Sequence, residues 1–213
     1  MEENEIKERI RNAAKEQFFN HGFSKTTMEE FSNGLGMSKK TIYKYFASKD
    51  ELVKDITIAT IENMNACCVD IGNTKDIDFI EKLKRINSLL ASRMQTLRPA
   101  FYIDVQRTMP ELWKQIDEFR RKNIFLHFGN LIHEGIEKGV FRNDINPQLL
   151  ILMYANATQS IINPETLANL PLSAHQAFHT IISVLFDGIF TESARDTYKN
   201  TTVQPETMET LPV

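Results

Sequence analysis

Between Thr26 and Leu52 the chain reads TTMEEFSNGLGMSKKTIYKYFASKDEL, and this stretch restricts the possible folds more than any other. Thr26 stands three residues before Glu29, and Thr27 three before Glu30. Either pair can close a capping box, satisfying free N–H groups at a helix start. Met28, Phe31 and Leu35 then follow at helical spacing and give a short helix one apolar side. Gly34 and Gly36 stop it, because glycine tolerates the left-handed backbone that ends helices. Ser38 caps a second short helix, anchored inward by Ile42 and Phe46. Two short helices around a tight glycine turn form a helix-turn-helix.

The second helix leaves Lys39, Lys40, Thr41, Tyr43, Lys44 and Tyr45 for its outer face or rim. Ammonium groups suit phosphates, while hydroxyls and a threonine methyl suit base edges in a major groove. Thr26, Thr27 and Ser38 sit at helix N-termini, which attract phosphate through free N–H groups. Ser48 and Glu51 frame another capping box, and this puts Lys49 in the first turn of the next helix, within reach of a DNA backbone. A lysine-rich solvated face on an ordinary bundle is the alternative that spacing alone leaves open.

From about Ile6 to Leu52 the chain resembles the N-terminal domain of the tetracycline-repressor (TetR) family of bacterial transcriptional regulators. The resemblance rests on Ala13, Ala14, Phe18, Gly22, Phe23, Thr26, Thr27, Gly36, Ser38, Thr41, Tyr43, Tyr45, Phe46, Ser48, Lys49 and Leu52. The run TIYKYFASKDEL is its most specific part. Phe31-Ser32 replaces the family's usual Ile-Ala, which predicts a repacked core. Lys40 stands where the family usually has a small residue, which adds charge at the groove. The resemblance implies an all-α protein: a three-helix DNA-binding domain followed by a helical ligand-binding and dimerisation domain. It also implies regulation by a small effector.

A formal charge of −3 does not advertise a nucleic-acid binder, but its distribution does. Five lysines (25, 39, 40, 44 and 49) face only Glu29 and Glu30 between residues 25 and 49. Salt-dependent affinity counts the phosphates contacted rather than total charge. Eight Gly and seven Pro in 213 residues leave little material for hairpins and favour helices. MEENEIKERIR has no apolar core of a signal peptide, and no run of 18 apolar residues spans a membrane. The expected compartment is the cytoplasm, where Cys67 and Cys68 would be reduced. Those adjacent cysteines also leave open a thiol sensor, and with it a DNA-binding regulator that has no small effector.

Three segments follow from these readings: a DNA-binding domain over 1–54, a helical domain over 55–192 and a polar, loose tail over 193–213. Helices are expected from about Asn4 to Asn20, Lys49 to Cys68, Asp78 to Thr96, Pro99 to Met109 and Pro110 to Lys138. Two more run from Pro147 to about Ile162, capped by Asn146, and from Ser173 to about Phe190. These last two are apolar on nearly every side, so each must be covered on both sides. A second copy of the chain supplies that cover in a two-fold, four-helix interface. Leu150, Tyr154, Ile161, Phe178, Ile182, Leu185, Phe186 and Ile189 are its candidate residues. The centre of a single-chain bundle is the other solution.

Candidate walls for an apolar effector are Phe101, Tyr102, Trp113, Phe125, Phe128 and Tyr154, with Asn156 and Gln159 as polar contacts. Aromatic residues at helical spacing serve equally as plain core. No catalytic site is expected, since HExxH, GxSxG, P-loop and GxGxxG patterns are all missing. No metal or cofactor is expected either; His127 and His133 lie six apart on one helix, poorly placed to share a metal. The expected partners are double-stranded DNA carrying a near-palindromic operator, a second copy of the chain and a small apolar effector.

Overall fold

The computed structural model describes residues 3–96 and 99–201. Twelve α-helices and one π-helical turn account for nearly all of them. The single β-bridge among the described residues joins Phe141 to Phe190. The protein is therefore all-α.

The chain divides into two compact units. The first holds α1 (Glu3–His21), α2 (Met28–Leu35), α3 (Lys39–Tyr45), the N-terminal part of α4 (Lys49–Asn73), α6 (Pro99–Thr108) and the start of α7 (Pro110–Asn123). Its core is built on Ile10, Ala14 and Phe18 of α1, Phe31 of α2, Ile42 of α3, then Phe46, Leu52, Val53 and Ile56. Phe101 and Val105 of α6 and Leu112 and Ile116 of α7 complete it. The division at residue 54 follows role along the sequence, whereas these units follow contact, and contact recruits α6 to the first unit.

Local chemistry explains the boundaries. At α2 the capping box is the Thr27–Glu30 pair: Glu30 N–H donates to Thr27 Oγ1 (3.1 Å), and Thr27 N–H donates to Glu30 Oε2 (2.8 Å). Gly36 ends α2 in the left-handed region, at φ 67°. Ser38 caps α3 by accepting from Thr41 N–H at 3.0 Å. Phe31 lies against Phe18, with centroids 5.2 Å apart. Ser32 is buried but satisfied, its hydroxyl donating to Glu29 O within the same helix. Phe31 and Ser32 are thus both buried on the inner side of α2.

The second unit holds the rest of α4, α5 (Phe79–Thr96), the end of α7, the π turn Ile124–Phe128, α8 (Gly129–Glu137), α9 (Pro147–Ile161), α10 (Pro164–Ala168), α11 (Ala174–Ile189) and α12 (Glu192–Asn200). Phe79, Leu83, Phe128, Ile132, Phe141, Leu150, Tyr154, Phe178, Ile182, Phe186 and Phe190 form its core. Asn146 caps α9 with Pro147 in the first turn, and both halves of the Ser173–Gln176 box are present at α11. Gly135 is required by packing, because a Cβ there would stand only 2.1 Å from Phe141 Cδ2.

Four expectations change. The helix from Pro110 to Lys138 is interrupted by the π turn, which absorbs an extra residue and rephases the apolar stripe so that Phe128, Leu131 and Ile132 face inward. The α4 helix runs five residues past Cys68, to Asn73. Asn163 caps the short α10 where a loop was expected. The tail is not loose from its start: α12 buries Ala194, and Tyr198 packs on Phe186 and Phe190, with centroids 6.0 and 4.8 Å away. Two apolar residues four apart were too faint a stripe to read. The part of the tail over 202–213 lies outside the described residues.

Candidate nucleic-acid interface

In α3 the core takes Ile42, and Phe46 seals the helix end. The outward side then carries Lys39, Lys40, Tyr43 and Lys44, all exposed, with Thr41 half-buried. Tyr43 is 42% exposed, a large aromatic phenol left in water on a seven-residue helix. Lys39 Nζ lies 3.2 Å from Glu29 Oε2 across the turn, an exposed pair that DNA phosphate can displace. Lys44 Nζ sits 5.4 Å from the Tyr45 centroid, and Tyr45 leans on the first core. Thr41 and Ser38 share a hydroxyl contact of 2.8 Å.

Two of the candidate DNA contacts are spent inside the protein. Thr26 is buried, and its hydroxyl donates to Gly22 O at 3.2 Å. Lys49 Nζ donates to Thr26 O at 2.6 Å and lies 5.8 and 5.5 Å from the Phe18 and Phe23 centroids. Burial pushes the Lys49 pKa down, against the pull of Asp50, Asp104 and Glu30. Both residues therefore brace the turn before α2 from within. Thr27 stays exposed, but its hydroxyl is engaged in the capping box.

The basic residues of α1 are largely occupied. Arg11 forms a bidentate pair with Asp55 of α4 (2.5 and 2.8 Å) and also pairs with Glu8. Arg9 donates to Leu35 O at 3.0 Å, tying α1 to the end of α2. Lys7 lies over the Phe46 ring at 5.4 Å. Asp104 of α6 was not singled out by the sequence at all, yet its Oδ2 accepts Ser24 N–H at 3.0 Å. No local pattern marks such a residue, because its partner is eighty positions away.

The candidate effector walls separate. Phe101 and Tyr102 stack edge to face in the first unit, at 5.4 Å, and Phe101 also meets Phe19 and Phe23. Trp113 packs on that same core. Phe128 and Tyr154 come together in the second unit, with centroids 4.1 Å apart. Phe125 is exposed beneath Arg121, and Asn156 donates to Leu152 O of its own helix. Gln159 Nε2 reaches Asp117 O at 3.4 Å. Phe101, Tyr102 and Trp113 thus meet in the first core, and Phe128 and Tyr154 in the second.

The candidate dimer residues also need redistribution. Leu150, Tyr154, Phe178, Ile182, Phe186 and Ile189 all lie in the core of their own chain, and Ile161 and Leu185 are half-buried. The cause is that α5, α8 and α12 cover these sides, so the inner apolar stripes are already used. On α9 and α11 the apolar side chains that face water are Leu149, Leu152, Met153 and Val184.

Two short helices bridged by a glycine turn, locked on a shared core and presenting lysines, a threonine and a tyrosine outward, define a helix-turn-helix DNA-binding protein. Residues 10–56 match the sequence model described as bacterial regulatory proteins, tetR family. The HTH-type transcriptional regulator YvaF of Bacillus subtilis is 28% identical over 175 residues, covering 82% of this chain and 90% of that protein. The HTH-type transcriptional repressor KstR2 of Mycobacterium tuberculosis is 23% identical over 181 residues, covering 82% and 88%. A solved structure of KstR2, described as a ketosteroid transcriptional regulator, superposes with a TM-score of 0.58 at 20% identity, over 88% of this chain and 96% of that one. FadR of Bacillus subtilis, solved in complex with stearoyl-CoA, gives a TM-score of 0.61 at 18% identity, over 85% and 98%. Residues 10–56 thus match the N-terminal domain of the TetR family, and most of the chain's length is similar to helix-turn-helix transcriptional regulators.

Proposed function

We propose that this chain is a repressor that binds a near-palindromic operator as a homodimer in the cytoplasm and lets go when a small, mostly apolar effector occupies its second unit. The observation that carries the reading is the outward face of α3, where Lys39, Lys40, Tyr43 and Lys44 stand exposed on a helix fixed by Ile42. Lysines on such a face neutralise phosphates, and Tyr43 with Thr41 reads base edges. Thr27 and Ser38 frame the helix starts at the backbone.

Dimerisation is assigned to the outer sides of α9 and α11. Met153 (59% exposed), Leu149 (58%) and Val184 (70%) are large apolar groups left in water, which a second copy would cover. Two readers then meet half-sites about one helical turn, roughly 34–36 Å, apart. An effector that favours another separation removes the gain from simultaneous docking.

The effector site is assigned to the Phe128–Tyr154 region beside the π turn, since π turns recur at functional sites. The likeness to KstR2, a ketosteroid regulator, and to FadR, solved with stearoyl-CoA, supports an apolar class of ligand. Thiol control is disfavoured. Burial pushes the Cys68 thiol up to about 11, aided by its neighbour Cys67, so little reactive thiolate forms at neutral pH. Regulation, rather than catalysis, is the role assigned here.

A gel shift with the DNA upstream of the chain's own gene tests the reading, repeated with stearoyl-CoA, with a ketosteroid and with oxidant. Binding that an apolar compound relieves and oxidant leaves intact is expected. Binding relieved by oxidant alone would transfer control to the cysteines.

A further inference from the structure

We infer that Asp104 of α6 is a positioning residue for DNA reading, holding the turn that aims α2 and α3. The inference rests on the DNA-regulator reading above and assigns a role to a carboxylate outside the helix-turn-helix.

The carboxylate side chain is only 13% exposed. Its Oδ2 accepts Ser24 N–H at 3.0 Å, and the same oxygen lies 2.8 Å from where a Cβ on Gly22 would stand. Gly22 therefore meets two demands at once: a left-handed φ of 76° and close passage of an ionised oxygen. The turn continues to Thr26, whose hydroxyl donates back to Gly22 O and whose carbonyl accepts Lys49 Nζ. Lys49 opens α4 and feels the Asp104 charge. Arg107, one turn along α6, stays 3.7 Å from Oδ1. The carboxylate thus ties α6 to the turn after α1, and Thr26 and Lys49 carry that turn on to the starts of α2 and α4.

A backbone N–H bonded to a carboxylate is stronger than a neutral pair, and in a turn it fixes direction as well as distance. The Thr27 capping box begins immediately after this turn, so the entry angle of α2 follows from where residues 22–26 are held.

The test uses the full chain and a duplex that the wild type enriches from a randomised library. Asp104→Leu keeps the branched shape at a larger volume and loses the acceptor, while Asp104→Asn keeps a carbonyl oxygen for Ser24. The expected result is an affinity at least tenfold lower for the leucine variant, with unchanged native mass and loss of hydrogen-exchange protection at the Ser24 amide. The asparagine variant should recover most of the affinity and protection, which a merely bulky or structural role would not demand. Wild-type affinity in Asp104→Leu, or lost affinity with Ser24 still protected, overturns the role. If Asp104→Leu does not fold, Asp104→Asn decides: loss of both affinity and protection overturns the acceptor argument. A wild type that enriches no duplex overturns the regulator reading, and the positioning role with it.

Discussion

On the proposed reading, Tyr43 is the side chain on which base reading chiefly depends. It is exposed, central on α3, and its hydroxyl makes no hydrogen bond to a described residue. Tyr43→Ala should cost about 1–3 kcal/mol of operator affinity, roughly 5- to 150-fold, and relax preference at one base position. Fluorescence titration at fixed salt checks this, and equal affinity would remove the residue from the interface. Lys40→Ala should weaken all duplexes alike and flatten the salt slope by about one per subunit. At Gly135, substitution by Ala pushes a methyl into the Phe141 ring and should destabilise by about 1–3 kcal/mol, read by urea denaturation. Cys68 gives a pH signature. Its folded pKa of about 11 stands above the ordinary 9.0, so the unfolded chain loses the proton first. Stability should therefore fall as pH rises between those two values, and Cys68→Ser should lessen the fall.

Helix ends were the most legible elements, because capping is local chemistry. Ser38, Asn146 and Ser173 all cap where the sequence places them, and of the two pairs it allows at α2 the structure uses Thr27–Glu30. Thr27→Ala should cost about 0.5–2 kcal/mol. The Thr27 N–H and hydroxyl hold the Glu30 carboxyl below its usual range. A lowered folded pKa gives stability that is present above the ordinary value and lost as acid protonates Glu30, so the Thr27→Ala penalty should shrink below that pKa. Element partners were less legible. Periodicity names an apolar face but not what meets it, which is why Phe101, Tyr102 and Trp113 were placed with an effector site when they belong to the reader's core. The same limit hid the use of Ile182 and Phe186 within one chain and the docking of α12 through Tyr198. Removing residues 192–201 would expose Phe186 and Phe190 and should lower the unfolding midpoint of the second unit by several degrees in calorimetry.

At the scale of the whole molecule, a chain with net charge −3 can bind DNA because three exposed lysines, Lys39, Lys40 and Lys44, stand together on one short helix. On the proposed reading, a two-fold partner converts one weak reader into a specific pair. Phe186→Glu is no test of that partner, since it would break the core. Met153→Glu and Val184→Glu, both on outward faces, should halve the native mass without unfolding the chain. The most direct measurement is the mass of the complex formed on the duplex that the chain itself enriches from a randomised library. The account predicts an even number of chains on a near-palindrome whose half-sites lie about one helical turn apart. A single chain on an asymmetric site, or no enrichment at low salt, would contradict it.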